Sequence, residues 1–315
     1  MKCTFLGLFF FVVTTTFSQQ KLSKEFSFVS DNDLYVSIKK DQYYSNGIFL
    51  SYRYLASDFG DYEKKIYEFQ LGHEIYTPFK PTVISVLQHD RPFAGYLYGS
   101  FGILRAYKNK SILKTNIQFG VMGPNAMGEE LQKAIHRIYN FALPVGWKYQ
   151  IKNTLALNFD VNYIKSLLTD VSNHYDINFI NRLRVGTIFN EISSGFMGRI
   201  GFSELQSIHN SIAFNTSLNN ENTNFTRGIE SFLYYQTSLT YVLYDATIEG
   251  SLFTKNSPLT FKPKSFRFDL EVGFKFTSNR WNFGYAYHFH SNKLPNLRKN
   301  KGNDYGRLIF SYLFN

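Results

Sequence analysis

Four groups of polar residues in this 315-residue chain have types and spacings that could do chemistry. The first is Asp31-Asn32-Asp33, followed by Asp41-Gln-Tyr-Tyr-Ser-Asn-Gly47. Carboxylate and amide oxygens gathered in this way suit a hard cation such as Ca2+, which takes about 6–8 oxygen ligands. Asp, Asn and Gly are also turn formers, so a solvated turn is the competing reading. The second group, Gln88-His-Asp-Arg-Pro-Phe-Ala-Gly95, reads as a loop in which Asp90 and Arg91 form a local ion pair. The third is Gln132 with His136, which share a face if their segment is helical. A neutral imidazole beside a positioned polar group can act as general base on water, although a helical His is also often structural. The fourth is His288 with His290, which a strand places on one face, as metal ligands or simply as lumen-lining polar residues.

What is missing narrows the chemistry. There is no Gly-x-Ser-x-Gly elbow, no His-Glu-x-x-His pair, no P-loop and no dinucleotide fingerprint. Cys3 is the only cysteine and lies in the first few residues, so disulfides, a thiolate nucleophile and Cys-bound zinc are excluded from a mature chain that has lost its leader. For an enzyme, the chemistry left open is water activated by His, with a metal or backbone groups holding the oxyanion.

The leader itself is legible. Met1-Lys2 gives a positive start, Phe5 to Val13 an apolar run, and Thr14 to Ser18 a small-residue cleavage region. This predicts a secretory signal over 1–18 and a single domain over 19–315. Net charge is +10, from 34 Lys+Arg against 24 Asp+Glu. An exported chain seldom meets nucleic acid, and no nucleic-acid signature is present, so the surplus points to anionic lipid or phosphorylated glycolipid.

These residues must be positioned by strands. Aromatics make up 18% of the chain, yet hydrophobic residues reach only 44% and the mean hydropathy is −0.24. After Ser18 no stretch approaches the roughly 20 apolar residues of a spanning helix. Phe266, Phe268, Leu270, Val272, Phe274 and Phe276 alternate with Arg267, Asp269, Glu271, Gly273 and Lys275. Trp281 to Phe289 and Leu308 to Phe314 repeat the pattern with large aromatic residues. A soluble sandwich would bury such apolar faces. The recurrence of segments of about 10 residues, the aromatics near strand ends and the aromatic closing strand instead favour an outer-membrane barrel with an even number of strands, about 12. The candidate strands, from Glu25–Ser30 to Arg307–Phe314, exceed that number by one and include Ala246–Phe253. One segment breaks the alternation: 125–141 reads as a helix, with Asn125 as N-cap and Leu131, Ala134, Ile135 and Ile138 at helical spacing. The fold expected is all-β, a transmembrane antiparallel barrel with this short helix at its active-site end.

Taken together, the polar groups resemble one family, the outer-membrane lipid A 3′-O-deacylases. The matching pieces occur in order: Ser30-Asp-Asn-Asp-Leu-Tyr35, Asp41-x-Tyr-Tyr-Ser-Asn-Gly47, Glu74-Ile-Tyr-Thr-Pro78, Asp90-Arg-Pro-Phe-Ala-Gly-Tyr-Leu-Tyr98, and Gly120 to His136 with its Gly-Pro, Gln and His spacing. Pro144-Val-Gly-Trp147, Gln150-Ile151 and Asn153 extend the match. The resemblance implies a monomeric barrel in the bacterial outer membrane that removes the 3′-linked acyloxyacyl group of lipid A, with a calcium-dependent site near the outer leaflet. It implies Asn32 and Asp33 at the Ca2+ site and His136 as base. Gln132 and Ser45 would assist, Ser45 standing where relatives usually carry Thr. Arg91 and Lys80 would bind substrate, and the basic surplus would receive the phosphates of lipopolysaccharide. Lys152 stands where relatives are commonly acidic. The rival readings are a non-catalytic barrel, serving as channel, structural protein or adhesin, and an outer-membrane phospholipase. Convergence of Asn32, Asp33 and His136 at one barrel end is the discriminating observation.

Overall fold

Alternation of apolar and polar side chains along a strand gives a sheet two unlike faces, and closing that sheet removes its edges. A computed structural model describes residues 21–36, 42–223, 228–295, 297–298 and 302–315. The expected leader over 1–18 and Asp41 lie outside the described residues. Twelve strands form one closed antiparallel barrel. They are β1 (Lys24–Asn32), β2 (Tyr43–Leu55), β3 (Lys64–Thr77), β4 (Ala94–Tyr107), β5 (Ser111–Met122), β6 (Thr154–Thr169), β7 (Tyr175–Gly186), β8 (Phe189–Gly201), β9 (Ser231–Asp245), β10 (Phe266–Ser278), β11 (Trp281–His290) and β12 (Asn303–Phe314). Each pairs with the next, and β1 meets β12 from Lys24↔Phe314 to Asn32↔Gly306. No described helix is long and apolar enough to cross a membrane.

The two faces have the polarity of a membrane barrel rather than of a sandwich. Phe266, Phe268 and Val272 of β10 are exposed on the outside. Their neighbours Arg267, Asp269 and Glu271 line a lumenal cavity of about 270 Å³. The lumen is laced with ion pairs: Arg53 with Glu25 and Glu68, Arg184 with Asp160 (3.0 Å) and Glu191 (3.4 Å), and Arg267 with Glu191 (3.2 Å) and Asp269 (2.8 Å). Charge is tolerated there because it is paired and hydrogen-bonded, while apolar residues meet lipid.

Long connections gather at one end of the barrel, which we call the loop end. At the other end, where β1 begins and β12 finishes, the segment 202–223 folds inward. Its Ile208, Ile212, Phe214 and Leu218 pack with Leu55, Ile66, Leu104 and Phe232 of the wall. Lys64 Nζ donates to Asn210 Oδ1 and to the Thr216 carbonyl, both at 2.7 Å, and pins the segment in place.

Two expectations are corrected. Ala246–Phe253 is not a strand: it opens with a helical turn, Ala246–Glu249, because the Asp245 carboxylate accepts from Thr247 N (3.0 Å) and Gly250, at φ 80°, ends the turn. The helix expected over 125–141 is shorter, α1 (Gly128–Ile138). Asn125 sits in a preceding 3-10 turn, Pro124–Ala126, and Met127 at φ 55° separates that turn from the helix.

Candidate active site

Strand register builds the site on the outer face of the wall. Asn32 on β1 lies opposite Asn46 on β2, Asn46 opposite Ile75 on β3, and Ile75 opposite Gly95 on β4. Asp31 points the other way. Arg307 Nε and Nη2 donate to its two oxygens at 2.7 Å each, and Tyr44 Oη donates to it at 2.9 Å, all from the lumen side. Alternation then turns Asn32 outward. Ile75 faces out likewise, because Glu74 and Tyr76 on either side of it line a lumenal cavity of about 350 Å³. Ser45 is the extra residue of a β-bulge between Tyr44 and Asn46. Such a bulge bends the strand locally and re-aims a side chain, and Ser45 Oγ donates to the Ile75 carbonyl at 3.5 Å.

Helix α1 lies across this outer face, over β3 and β4. A β-carbon on Gly95 would stand 3.1 Å from the Gly128 backbone, so the start of the helix rests directly on the strand. Ile75, Phe93 and Trp147 form a buried cluster against which Leu131 packs. His73, outward-facing on β3, donates from Nε2 to the Ala126 carbonyl at 2.7 Å and holds the turn that launches the helix. The helix is reversed relative to one on a soluble protein. Its buried residues are Gly128, Gln132 and His136, one turn apart, while Ala134 and Ile138 are exposed. Of the apolar spacing in the sequence, Ala134 and Ile138 therefore turn away from the barrel, while Leu131 packs against the wall.

Both polar residues of the buried face are fixed. Trp147 Nε1 donates to Gln132 Oε1 at 2.8 Å, which sets the orientation of the amide. His136 Nδ1 is 2.6 Å from the Ala142 carbonyl. A carbonyl only accepts, so Nδ1 carries the proton and Nε2 is the basic nitrogen. On the strand side, Asn32 Oδ1 accepts from Leu34 N (2.8 Å) and starts a 3-10 turn, Asp33–Tyr35. Asp33 Oδ2 accepts from Gln42 N at 2.8 Å.

A model of the family described as outer membrane protein LpxR matches residues 5–314. The chain belongs to that family. A solved structure, LpxR from Salmonella typhimurium, superposes with a TM-score of 0.72 at 18% identity, covering 92% of this chain and 100% of that one. The β domain of the Bordetella autotransporter BrkA gives a TM-score of 0.46 at 9% identity, over 94% of this chain and 99% of that one. No curated protein matches. The family resemblance read from residues 30–153 thus holds along the chain, and the membrane that the barrel spans is the outer membrane.

Within this LpxR-family barrel the expected residues divide. Asn32, Asp33, Ser45, Gln132 and His136 all lie at the loop end. Contacts run from Ser45 through Ile75 to Trp147 and on to Gln132, one helical turn before His136. Arg91 is elsewhere: it is buried inside the mouth, where Nη2 donates to Thr247 Oγ1 (3.1 Å) and the guanidinium sits 4.9 Å from the Tyr76 ring. Burial draws its pKa down from the ordinary value. Lys80 is exposed beside Pro81, whose carbonyl accepts from Val145 N (3.1 Å) in the chain leaving α1. The Asp90–Arg91 ion pair does not form, because the Asp90 carboxylate accepts from Tyr43 Oη (2.9 Å), Phe79 N (3.0 Å) and Arg298 N (3.1 Å), tying its own loop to the start of β2 and to the connection between β11 and β12. His288 and His290 line the lumen, and His288 stacks on Tyr305. Lys152 N donates to Ser257 Oγ at 3.1 Å at the edge of the same loops.

Among the described residues no three His, Cys, Asp or Glu side chains cluster to hold a metal. Among the described residues, a cation here would draw on the Asp33 carboxylate and on amide oxygens. Gln42 Oε1 and Asn46 Oδ1 are buried and find no partner among the described residues. Oxygen-only donors of this kind fit Ca2+ by type. Trp147 and the Gly95–Gly128 contact were not singled out by residue chemistry, because packing gives them their roles. The one signal available was their presence inside the ordered motifs.

Proposed function

We propose that this protein is an outer-membrane esterase that removes the 3′-linked acyloxyacyl group of lipid A. The observation that carries the reading is a polar helix face, Gln132 and His136, buried against the lipid side of the barrel wall. Hydrogen bonds to Trp147 and Ala142 offset the cost of burying these two side chains, and an ionisable residue held on the lipid-facing side of a barrel is a functional candidate in its own right. Nε2 of His136 would take a proton from water as that water attacks the ester carbonyl, while the Nδ1–H bond to Ala142 holds the ring. Gln132 would orient the water or the ester, and Ser45 would line the opposite side. Calcium, when bound, would supply Lewis-acid stabilisation of the oxyanion, and Asp33 with the amide oxygens of Asn32, Gln42 and Asn46 would hold it. Exposed Lys80 would receive a phosphate of lipid A, a role that the buried Arg91 does not support. A channel is disfavoured by the inward-folded segment 202–223 and by the paired charges of the lumen.

The test is mass spectrometry of lipid A from a lipid A-bearing host that expresses the wild type or His136→Ala, with calcium present or chelated. Loss of the 3′ acyloxyacyl group only with wild type and calcium is expected. Retention of every acyl chain by a correctly inserted wild type would sink the proposal.

A further inference from the structure

Inside the mouth of the barrel, Arg91, Lys293 and Asn303 line one small cavity, with Tyr43 and Ile248 among its other walls. All three keep hydrogen-bonding capacity in reserve. Arg91 is buried, and its Nε and Nη2 donate only to neutral oxygens of Pro92 and Thr247, while Nη1 donates to no described residue. Lys293 Nζ makes no hydrogen bond among the described residues; its one ion pair there is with Asp245 Oδ2 at 3.7 Å. Asn303 is 1% exposed, and neither polar atom of its amide has a partner among the described residues. The neighbouring carboxylates are engaged elsewhere. Asp245 Oδ1 accepts from Thr247 N and Oγ1, and Asp90 accepts from Tyr43, Phe79 N and Arg298 N. Burial draws both cations down from their ordinary ranges, against the pull of Asp245. Buried charge is costly until it is both paired and hydrogen-bonded. Water in the cavity would meet the amide but bring no charge, whereas one anion meets all three side chains.

We propose that this cavity binds a small inorganic anion of the size and charge of chloride, held by the Arg91 guanidinium, the Lys293 ammonium and the Asn303 side-chain N–H. The space is that of about one water-sized sphere, which suits a monatomic ion and excludes a phosphate. Arg91 belongs to the β3–β4 connection, Lys293 to the β11–β12 connection, and Asn303 is the first residue of β12. The anion therefore fastens two connections to each other across the mouth, the same two that Asp90 joins through Arg298 N. Lys293 and His290 also line the lumenal cavity of about 350 Å³, which gives the ion a way in from the interior. The site is separate from the outward-facing residues around His136, and binding there does not depend on the esterase reading.

Two measurements on the full chain in detergent micelles decide it. The thermal midpoint is expected to rise saturably as sodium chloride replaces sodium gluconate at constant ionic strength, and bromide should act in place of chloride. Lys293→Met is expected to raise the chloride concentration for half of this effect about tenfold or more. Lys255→Met, at an exposed loop lysine, should leave it unchanged. Crystals of the wild type grown in bromide should show an anomalous peak between Arg91, Lys293 and Asn303, a readout that needs no variant to fold. Equal midpoints in chloride and gluconate would overturn the proposal, as would a chloride effect that Lys293→Met keeps in full. A bromide peak without the solution effect would mark an adventitious ion only, and a water in that position would sink the idea outright.

Discussion

Gly128→Ala separates the position of the helix from its stability. A β-carbon built at Gly128 stands 2.7 Å from Trp147 Cη2 and 3.0 Å from Gly95 Cα, so contact with the indole falls about 0.7 Å short of the 3.4 Å at which ordinary packing begins. The indole cannot give way cheaply, because it is buried against Ile75 and Phe93 and donates to Gln132. The strand cannot either, being backbone at the point of contact. The helix must therefore lift, carrying Gln132 and His136 with it on the same face. Overpacking of this kind costs about 1–3 kcal/mol, and a catalytic group displaced by about 1 Å loses about 10²-fold in rate. Alanine favours helix over glycine, so weaker helix formation cannot explain a loss. The expected result is a fall of about 10²-fold in kcat/KM for lipid A, followed by mass spectrometry over time, with the heat-modifiable barrel band on gels unchanged. Gly99→Ala on β4, where no atom lies within 4 Å, is the matched control and should be silent. A Gly128→Ala enzyme working at the wild-type rate, or a Gly99→Ala enzyme equally impaired, would refute the argument that contact with the wall sets the site.

Other outcomes follow from the same geometry. Trp147→Phe removes the indole N–H that Gln132 Oε1 accepts from, a hydrogen bond worth about 0.5–1.5 kcal/mol; kcat should fall while the barrel persists, and kinetics equal to wild type would deny the indole its positioning role. Arg307→Met leaves the buried Asp31 carboxylate with Tyr44 as its remaining hydrogen-bond donor described here, and should lower stability by about 3–5 kcal/mol, read as a lower urea midpoint. Chelating calcium should stop deacylation, and Asp33→Asn should raise the calcium concentration needed for half-maximal rate; a rate indifferent to both would remove the ion from the site. In planar bilayers the full chain should pass no steady current, because segment 202–223 is packed into one end of the barrel, and a stable conductance would show that end to be open.

The barrel was readable because membrane strands write their two faces into every second residue. Phe266 to Phe276 and Leu308 to Phe314 needed no tertiary information to be placed. Ala246–Phe253 misled because its composition suits a strand, whereas the Asp245 cap and Gly250 make it a turn in the mouth. Among the candidate site residues, Asn32, Asp33, Gln132 and His136 were picked out through ordered motifs, and the fold brings them to one end of the barrel. Their setting was not, since a helical period gives the angle between faces and leaves open which face meets protein. Ile138 and Ala134 would be the buried side of a helix in water; here they are exposed. Arg91 was expected at the site because it is basic and lies within a motif. Its turn into the mouth depends on Thr247 and Tyr76, both distant in sequence.

The pair Asp31 and Asn32 shows how one strand end can serve both sides of the wall. A carboxylate on the lipid side would have to be desolvated there without a guaranteed partner, whereas in the lumen Asp31 finds Arg307 and Tyr44 and becomes an anchor. The next residue, turned outward by alternation, is a neutral amide that caps its own turn and presents Asp33 beyond the last ladder bond. The lumenal ion pairs then brace the wall that carries the outward-facing residues. Such a division explains why the ionisable residues of β10, Arg267, Asp269, Glu271 and Lys275, all point inward, away from lipid. It also predicts where variation is tolerated. Lumenal charges should change as pairs, and the outward row of Asn32, Asn46, Ile75 and Gly95 should resist change singly, because each member supports the site through a different neighbour.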